Sequence, residues 1–465
     1  MVCVRMAIDV LFQRKRIVMY NYIIKFKNSQ IYNKIAYLSV FLITVSIFFQ
    51  IKYAFLTKEA HLTGGYSDFT SISLYLSDIL LFTTWGVLIL PRGREFLHVV
   101  KPLKWLILAI FLSFIYNFKE NTGLGLYFLI KWLELIVAYG TFTLLFQEYP
   151  IKSLFLRLFV YLASIQSIFA ILQFYKQSSI GLYRLGESHL SPTILGVAKI
   201  VSHGTTYIRG YGSFPHPNPL SAILVAGIIM GSYLYLKAKD TKNKVGWGIL
   251  TILNIVGLTT TFSRGAFISL LVGLGIFLGY SLFKRTKGTW GLIYIITSVI
   301  FFSIFTFKPL LLVRTTFSDQ ATIDRMFYNQ AGIQMSIKNP LLGVGAGESV
   351  LHMEQYSGKP LNYWEKQPPH NYFIITAAEI GIPALLFLLW FIFSQLKNLY
   401  TKLKSELTPI RLLLTTILIS LLVLMRFDHY FYTLQQTQLF LWIFIALVSS
   451  ETKKSISQLT NGEIV

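Results

Sequence analysis

Residues 368–395 read PPHNYFIITAAEIGIPALLFLLWFIFSQ. Two prolines, a histidine and an asparagine close a polar stretch, and from there the chain is apolar as far as Gln395. A run of that length and composition reads as a membrane helix, because about 20 apolar residues are needed to cross the hydrocarbon core of a bilayer. His370 therefore stands where a water-exposed loop meets the first turn of a span. Upstream, Asp324-Arg325 opens a polar helix that stops at Asn339-Pro340, and the turn Leu341-Leu342-Gly343-Val344-Gly345-Ala346-Gly347 follows.

The rest of the chain repeats this contrast. Its 465 residues are 54% hydrophobic and 13% charged, with a mean hydropathy of +0.58. Soluble domains carry about 25% charged residues, so an ordinary soluble protein is excluded. Apolar runs lie near 35–55, 70–90, 103–118, 123–146, 153–175, 217–236, 245–262, 265–283, 289–307, 371–395, 409–425 and 431–448. They predict an all-α integral membrane protein of about twelve transmembrane helices. Two long extracytoplasmic loops, 176–216 and 308–370, are expected, the second containing a short helix. Loops of that length inside a compact fold are usually functional. No internal repeat or low-complexity segment interrupts the pattern.

The net charge is +22. Its basic residues sit in short loops between spans, which is the positive-inside pattern and not a nucleic-acid patch. The N-terminal arm carries Arg5, Arg14, Lys15, Arg16, Lys25, Lys27 and Lys34 against Asp9. That bias puts the arm in the cytoplasm, and alternation then puts Arg92, Arg94, Lys101 and Lys104 inside. Lys237, Lys239, Lys242 and Lys244 also fall inside, as do Lys284, Arg285, Lys287, Lys397, Lys402, Lys404 and Arg411. The expected organisation is a basic cytoplasmic arm over 1–34, a transmembrane domain over 35–449 and a cytoplasmic tail over 450–465. The single cysteine, Cys3, excludes an internal disulfide and a cysteine metal cage. The first apolar run begins beyond Tyr32 and lacks a small-residue cleavage site, so no cleavable signal peptide is expected.

Charges inside spans are costly and need partners. Lys131 and Glu134 are three residues apart, share a helical face and are expected to pair. Asp78 and Glu379 show no partner at this level.

The topology sorts the remaining polar residues by side. Arg209, Arg264, Arg325, His370 and Asp428 all fall on the outer face. Arg264 sits in Phe262-Ser263-Arg264-Gly265, a turn too tight to be a loop between two spans. Arg325 opens its helix with Tyr328, Asn329, Gly332 and Ser336 on the same face, leaving Ile323, Met326, Phe327 and Ile337 as an apolar face. Arg209 precedes Gly210-Tyr211-Gly212-Ser213-Phe214 and Pro215-His216-Pro217-Asn218, a rigid entry to the next span. His370 is preceded by two prolines that restrict the backbone and followed by a helix N-terminus. The helix dipole and nearby guanidinium groups disfavour imidazolium there, and a neutral imidazole can act as a general base.

Glycines 343, 345 and 347 are not a nucleotide fingerprint, because no strand precedes them and they lie outside the cell. His352 and Glu354 make no metal motif with their neighbours. Arginines rather than carboxylates gather here, so an anion would be neutralised by guanidinium and neither metal nor cofactor is expected. Guanidinium forks bind phosphate oxygens bidentately and stabilise a diphosphate leaving group.

These residues resemble the superfamily of O-antigen ligases and O-antigen polymerases of bacterial envelopes. The resemblance is carried by Ser263-Arg264-Gly265, by Arg325, by Asn339-Pro340-Leu341-Leu342-Gly343-Val344-Gly345 and by His370-Asn371. The segment from Arg209-Gly210 to Pro217-Asn218 extends it to roughly residues 205–385. It implies glycan transfer from an undecaprenyl-diphosphate carrier to a glycan or lipid acceptor, at the outer face of a bacterial inner membrane, without metal and with inversion. Arg264 and Arg325 would bind the diphosphate and His370 would take the proton of the acceptor hydroxyl. Arg209 and Asn371 are further substrate-binding candidates. Asp428, in Asp428-His429-Tyr430, is added as a substrate-side group that orients His370. The histidine-bearing loop fits the ligase branch best, with a polymerase as the alternative. A transporter or flippase of lipid-linked sugars is the alternative of another class. Transporters place their sites at the bilayer midplane between repeated halves, whereas these candidates gather at one end.

Overall fold

The computed structural model describes residues 30–118, 122–313, 320–406 and 408–452. All but the last few residues of the expected arm, Cys3, and the tail from residue 453 lie outside the described residues. The chain is an all-α integral membrane protein. Its helices are α1 (Gln30–Phe48), α2 (Leu76–Thr84), α3 (Gly93–Val100), α4 (Lys104–Tyr116), α5 (Thr122–Glu148) and α6 (Lys152–Lys176). They continue with α7 (Pro217–Lys237), α8 (Thr241–Thr261), α9 (Arg264–Phe283), α10 (Thr289–Val313), α11 (Gln320–Lys338) and α12 (Met353–Ser357). The last are α13 (Tyr372–Ile380), α14 (Ile382–Ser405), α15 (Pro409–Phe427), α16 (Tyr430–Thr433) and α17 (Gln435–Thr452). Two small antiparallel hairpins, β1 (Lys52–Ala54) with β2 (Ser73–Tyr75) and β3 (Lys199–Ser202) with β4 (Thr205–Ile208), decorate one end.

Among the described residues, 9 helical stretches are long and apolar enough to cross a membrane. One of them, Leu76–Tyr116, holds both spans expected at 70–90 and 103–118, joined by a π-helical turn at Trp85–Ile89 and by α3. Two other expected spans are occupied by α8 and α17, which are more polar. Lys242, Lys244, Asn254 and several threonines dilute α8, and Gln435, Gln436 and Gln438 open α17. Phe301 and Phe305 on α10 are 74% and 73% exposed. Such faces suit acyl chains and not water.

The centre of the bundle is made by α7 and α17, which are buried on nearly every side. A helix apolar all round belongs inside, and small residues let its neighbours approach. Gly227 and Gly231 on α7 lie directly against Ala163 of α6 and Thr251 of α8. Lys131 does pair with Glu134, at 2.9 Å, and also with Asp78, at 2.6 Å. Gln435 donates to both carboxylates, at 2.7 and 2.5 Å, so one closed network ties α2, α5 and α17.

The loops expected inside and outside segregate to opposite ends. Arg92 meets Glu148 at 2.5 Å at one end, where Lys152 also pairs with Glu451. The segments around residues 50–75, 196–219, 320–370 and 428–434 meet at the other.

Three expectations need correction. The apolar run at 371–395 is two helices, α13 and α14, broken at Gly381. There the turn 340–345 crosses the chain backbone to backbone. Val344 N–H donates to Ala378 at 2.9 Å, Gly345 N–H to Glu379 at 3.0 Å and Ile382 N–H to Pro340 at 2.8 Å. Gly381 has φ +89° and Gly343 +67°, and a Cβ on either would fall within 2.3 Å of backbone. Neither position accepts a side chain. The second long loop holds the short helix α12 and also the 19-residue α11, which is already helical at Gln320 and does not open at Asp324-Arg325. Its faces are also reversed. Tyr328, Gly332 and Ser336 are buried, while Ile323, Met326 and Ile337 are exposed. Gly332 explains this, because without a side chain it lets α11 sit directly on Pro369 and Ile374.

Candidate active site

The docking of α11 on residues 368–374 builds the site. Asn371 caps α13, its Oδ1 accepting from Phe373 N–H at 2.9 Å and Ile374 N–H at 3.3 Å. Its Nδ2 donates to the Arg426 carbonyl at 3.1 Å, which fastens the start of α13 to the end of α15. Asn371 is buried and spends its polar atoms on this junction. His370, one residue earlier, is thereby held at the mouth of the helix. Its Nδ1 lies 3.0 Å from the Pro368 carbonyl. A carbonyl only accepts, so Nδ1 carries the proton and, in the neutral ring, Nε2 holds the free lone pair. The orienting group at Nδ1 is thus Pro368 and not Asp428, as the sequence had suggested.

Tyr328 of α11 stacks on the His370 ring, with 5.7 Å between centroids and 17° between planes. His429 meets the same imidazole edge-on at 4.7 Å. Arg325, one helical turn before Tyr328, approaches Asp428 at 3.8 Å. Asp428 accepts from Asn218 Nδ2 at 2.7 Å, and the Asn218 Oδ1 accepts from Arg209 at 2.8 Å. Arg209 also donates to the Thr261 carbonyl at 2.5 Å. Arg264, opening α9, donates to Thr322 of α11 at 2.8 Å.

His370, Arg325, Arg209 and Asp428 line one cavity of about 750 Å³. Arg264 lines a small adjoining pocket that shares Asn218, Arg325, Asp428 and Tyr430 with it. Asn371 is not in the lining. Sequence reasoning missed three cavity residues, His216, Asn218 and His429. Each lies in a run quoted for another residue, and nothing in its spacing indicated that two distant turns meet. His216 accepts a hydrogen bond at Nδ1 from Asn218 N–H, at 3.2 Å, so its neutral ring carries the proton on Nε2. It is the complementary tautomer to His370.

Five cations (Lys52, Lys199, Arg209, Arg325 and Lys366) face three carboxylates (Asp68, Asp324 and Asp428) across the cavity, which favours an anionic ligand. Burial holds the His370 pKa below the usual imidazole value, and Arg325 pushes the same way while Asp428 opposes them. Burial likewise lowers His216, helped by Arg209, and takes His429 down to about 3, helped by His370. Burial alone would raise Asp428, but His429, His370, Arg325 and His216 outweigh it and hold the carboxyl well below its usual range. The cavity therefore holds neutral imidazoles beside an ionised carboxylate and guanidinium groups. Among the described residues, His370, Asp428 and His429 bring atoms able to ligate a metal within 4.8 Å of one another. One oxygen of that carboxylate is already engaged by Asn218, and Arg325 supplies positive charge beside it. The glycine-rich turn is no phosphate cradle. Its Gly347 N–H and the Ser349 hydroxyl donate to Glu379, at 2.5 and 2.6 Å, so the group it holds is a carboxyl of the protein itself.

Residues 249–389 match a family model described as O-Antigen ligase. Over that segment the chain is similar to the O-antigen ligase and polymerase superfamily. No curated protein matches the chain. The O-antigen ligase match runs from α8 to α14 and contains Arg264, Arg325, His370 and Asn371. Arg209, His216, Asn218, Asp428 and His429 come from outside it, so the cavity joins the matched segment to flanking parts of the chain. A match to this family implies a membrane enzyme of the glycan ligase or polymerase type.

Proposed function

We propose that the cavity transfers a glycan from an undecaprenyl-diphosphate carrier to an acceptor hydroxyl at the extracytoplasmic face of a bacterial inner membrane. His370 Nε2 takes the proton of the acceptor hydroxyl as its oxygen attacks the anomeric carbon from the side opposite the diphosphate. The bond from that carbon to the diphosphate oxygen breaks and the configuration inverts. Undecaprenyl diphosphate leaves with the bonding electron pair, and Arg325, Arg264 and Arg209 neutralise its added charge. His216, with Nε2–H as a donor, is placed to hydrogen-bond a phosphate oxygen. Asp428 keeps Arg325 and Asn218 in position, and Asn371 positions His370 through the helix cap.

The observation that carries this reading is the shared cavity: a neutral imidazole with a free Nε2 and two arginines from separate segments face one space. Both chain termini are cytoplasmic in this reading, which follows from the basic loops at the opposite end. Ligation to lipid A-core, or to a similar acceptor, is favoured over polymerisation by the histidine-bearing loop. Incubation of purified protein with lipid-diphosphate-linked glycan and each acceptor, followed by mass analysis, tests this. A glycan joined to the lipid core marks a ligase, a lengthened lipid-linked glycan marks a polymerase, and unchanged substrates refute both.

A further inference from the structure

Part of the cavity lining has no part in the transfer step. It is formed by Tyr66, Tyr363, Trp364, Lys366 and Gln367. Trp364 is 60% exposed although it lines the cavity. The turn that carries it, Tyr363–Glu365, is closed by the Asn362–Glu365 capping box, with Asn362 N–H donating to Glu365 at 2.8 Å. Tyr363 meets Trp364 edge to face at 5.0 Å and 83°. Tyr363 also lies on Gly65, where a Cβ would come within 2.6 Å of the ring. Lys366 is pinned to Glu354 at 3.0 Å. The loop after β1 and the segment before His370 are thus clasped together, and the clasp presents one rigid indole beside polar neighbours.

A flat, fixed aromatic face with hydrogen-bonding groups at its edge matches the two sides of a sugar ring, which has C–H groups on one face and hydroxyl groups around its rim. Trp364 stands six positions before His370, so the two lie within about 20 Å of each other, within the reach of a single oligosaccharide. We infer that Trp364, fixed by Tyr363 over Gly65, is a pyranose subsite that holds the glycan being transferred or received, with Lys366 and Gln367 bonding its hydroxyl groups. This rests on the glycan-transfer reading for its role, while the binding itself is testable without any reaction.

The test uses the full chain in detergent and soluble oligosaccharides released by mild acid from the envelope polysaccharide of the cells that make the protein. Binding is read by saturation-transfer NMR or calorimetry. Trp364→Ala is expected to weaken binding by about tenfold, the scale of one lost aromatic stacking contact, and Trp364→Phe to keep most of it. Gly65→Val, which pushes Tyr363 away but leaves the indole, is expected to weaken binding as well. In transfer assays, Trp364→Ala raises KM for glycans of several sugars and leaves kcat unchanged. If the rise follows the length of the lipid-linked donor, the subsite is the donor's; if it follows the acceptor's, it is the acceptor's. Oligosaccharide binding equal in Trp364→Ala and the natural protein overturns the subsite. Binding that depends on Trp364 in a protein that transfers no glycan keeps the subsite and overturns the transfer reading.

Discussion

Tyr328 lies flat on the imidazole of His370, 5.7 Å between ring centroids, although the two residues come from different elements. The stack is the link by which α11 sets the orientation of the proposed base. Among the described residues His370 has one hydrogen-bond anchor, the Pro368 carbonyl, which fixes its tautomer but not the tilt of its ring. Tyr328→Ala is therefore expected to lower kcat by roughly tenfold to a hundredfold, the cost of misplacing a catalytic group by about 1 Å. Tyr328→Phe should stay near the natural rate. Equal losses in the two variants would assign the effect to the hydroxyl and not to the stack.

The pH dependence follows from the burial of His370. Burial and Arg325 disfavour its charged form, so the ring remains neutral below the usual imidazole value of about 6.5. A general base works in its unprotonated form, so the rate falls as pH drops through this lowered pKa and is flat above it. Removing Arg325 removes one of the groups that lower the pKa. The acid limb of the residual activity in Arg325→Gln is thus expected at higher pH than in the natural protein. A limb at the same or lower pH contradicts the electrostatic account. The effect on stability has the same sign. The unfolded chain binds a proton below about pH 6.5 that folded His370 refuses, so stability is lost as pH falls through that window.

Arg325 and Arg264 carry the charge argument. Alanine at either position is expected to cost about 100- to 1000-fold in transfer, the scale for loss of one donor to developing charge. Lysine at 325 should recover only part of this, since a point charge lacks the two-pronged geometry. Lipopolysaccharide gels and membrane immunoblots together check the point. The account requires loss of long-chain glycan with normal protein level.

Much of this was legible in the sequence, for reasons tied to particular residues. The apolar runs dictated membrane helices, and the lysines and arginines between them sorted the loops to two ends before any contact was known. Arg325 and His370 could be paired because both were expected at helix starts on the same side, although α11 in fact begins before Arg325. The reversed faces of α11 were not legible, since they depend on how Gly332 meets Pro369 across a long loop. The break at Gly381 was hidden for a similar reason, because an isoleucine on either side keeps the run apolar while the turn at 340–345 interrupts the helix. His216 and His429 entered the cavity only through the meeting of α7 with the turn after α15.

The buried network beneath the cavity gives a prediction about stability. Lys131 is 7% exposed and is the cation shared by Asp78 and Glu134. Replacing it with methionine leaves two carboxylates buried together without it, at a cost of about 3–5 kcal/mol. The Lys131→Met protein is expected to melt well below the natural one in detergent. The double change to Lys131→Met with Glu134→Gln should recover part of the loss, and thermal unfolding followed by size-exclusion fluorescence reads both.

The central claim is that His370 removes a proton in the transfer step. The measurement that tests it most directly is the single-turnover rate of glycan transfer by His370→Ala, against the natural protein at equal folded concentration and with saturating donor. The account predicts a fall of about 100- to 10,000-fold, the range for loss of a general base, with donor binding retained through Arg325 and Arg264. A His370→Ala rate within a factor of two of the natural protein contradicts it.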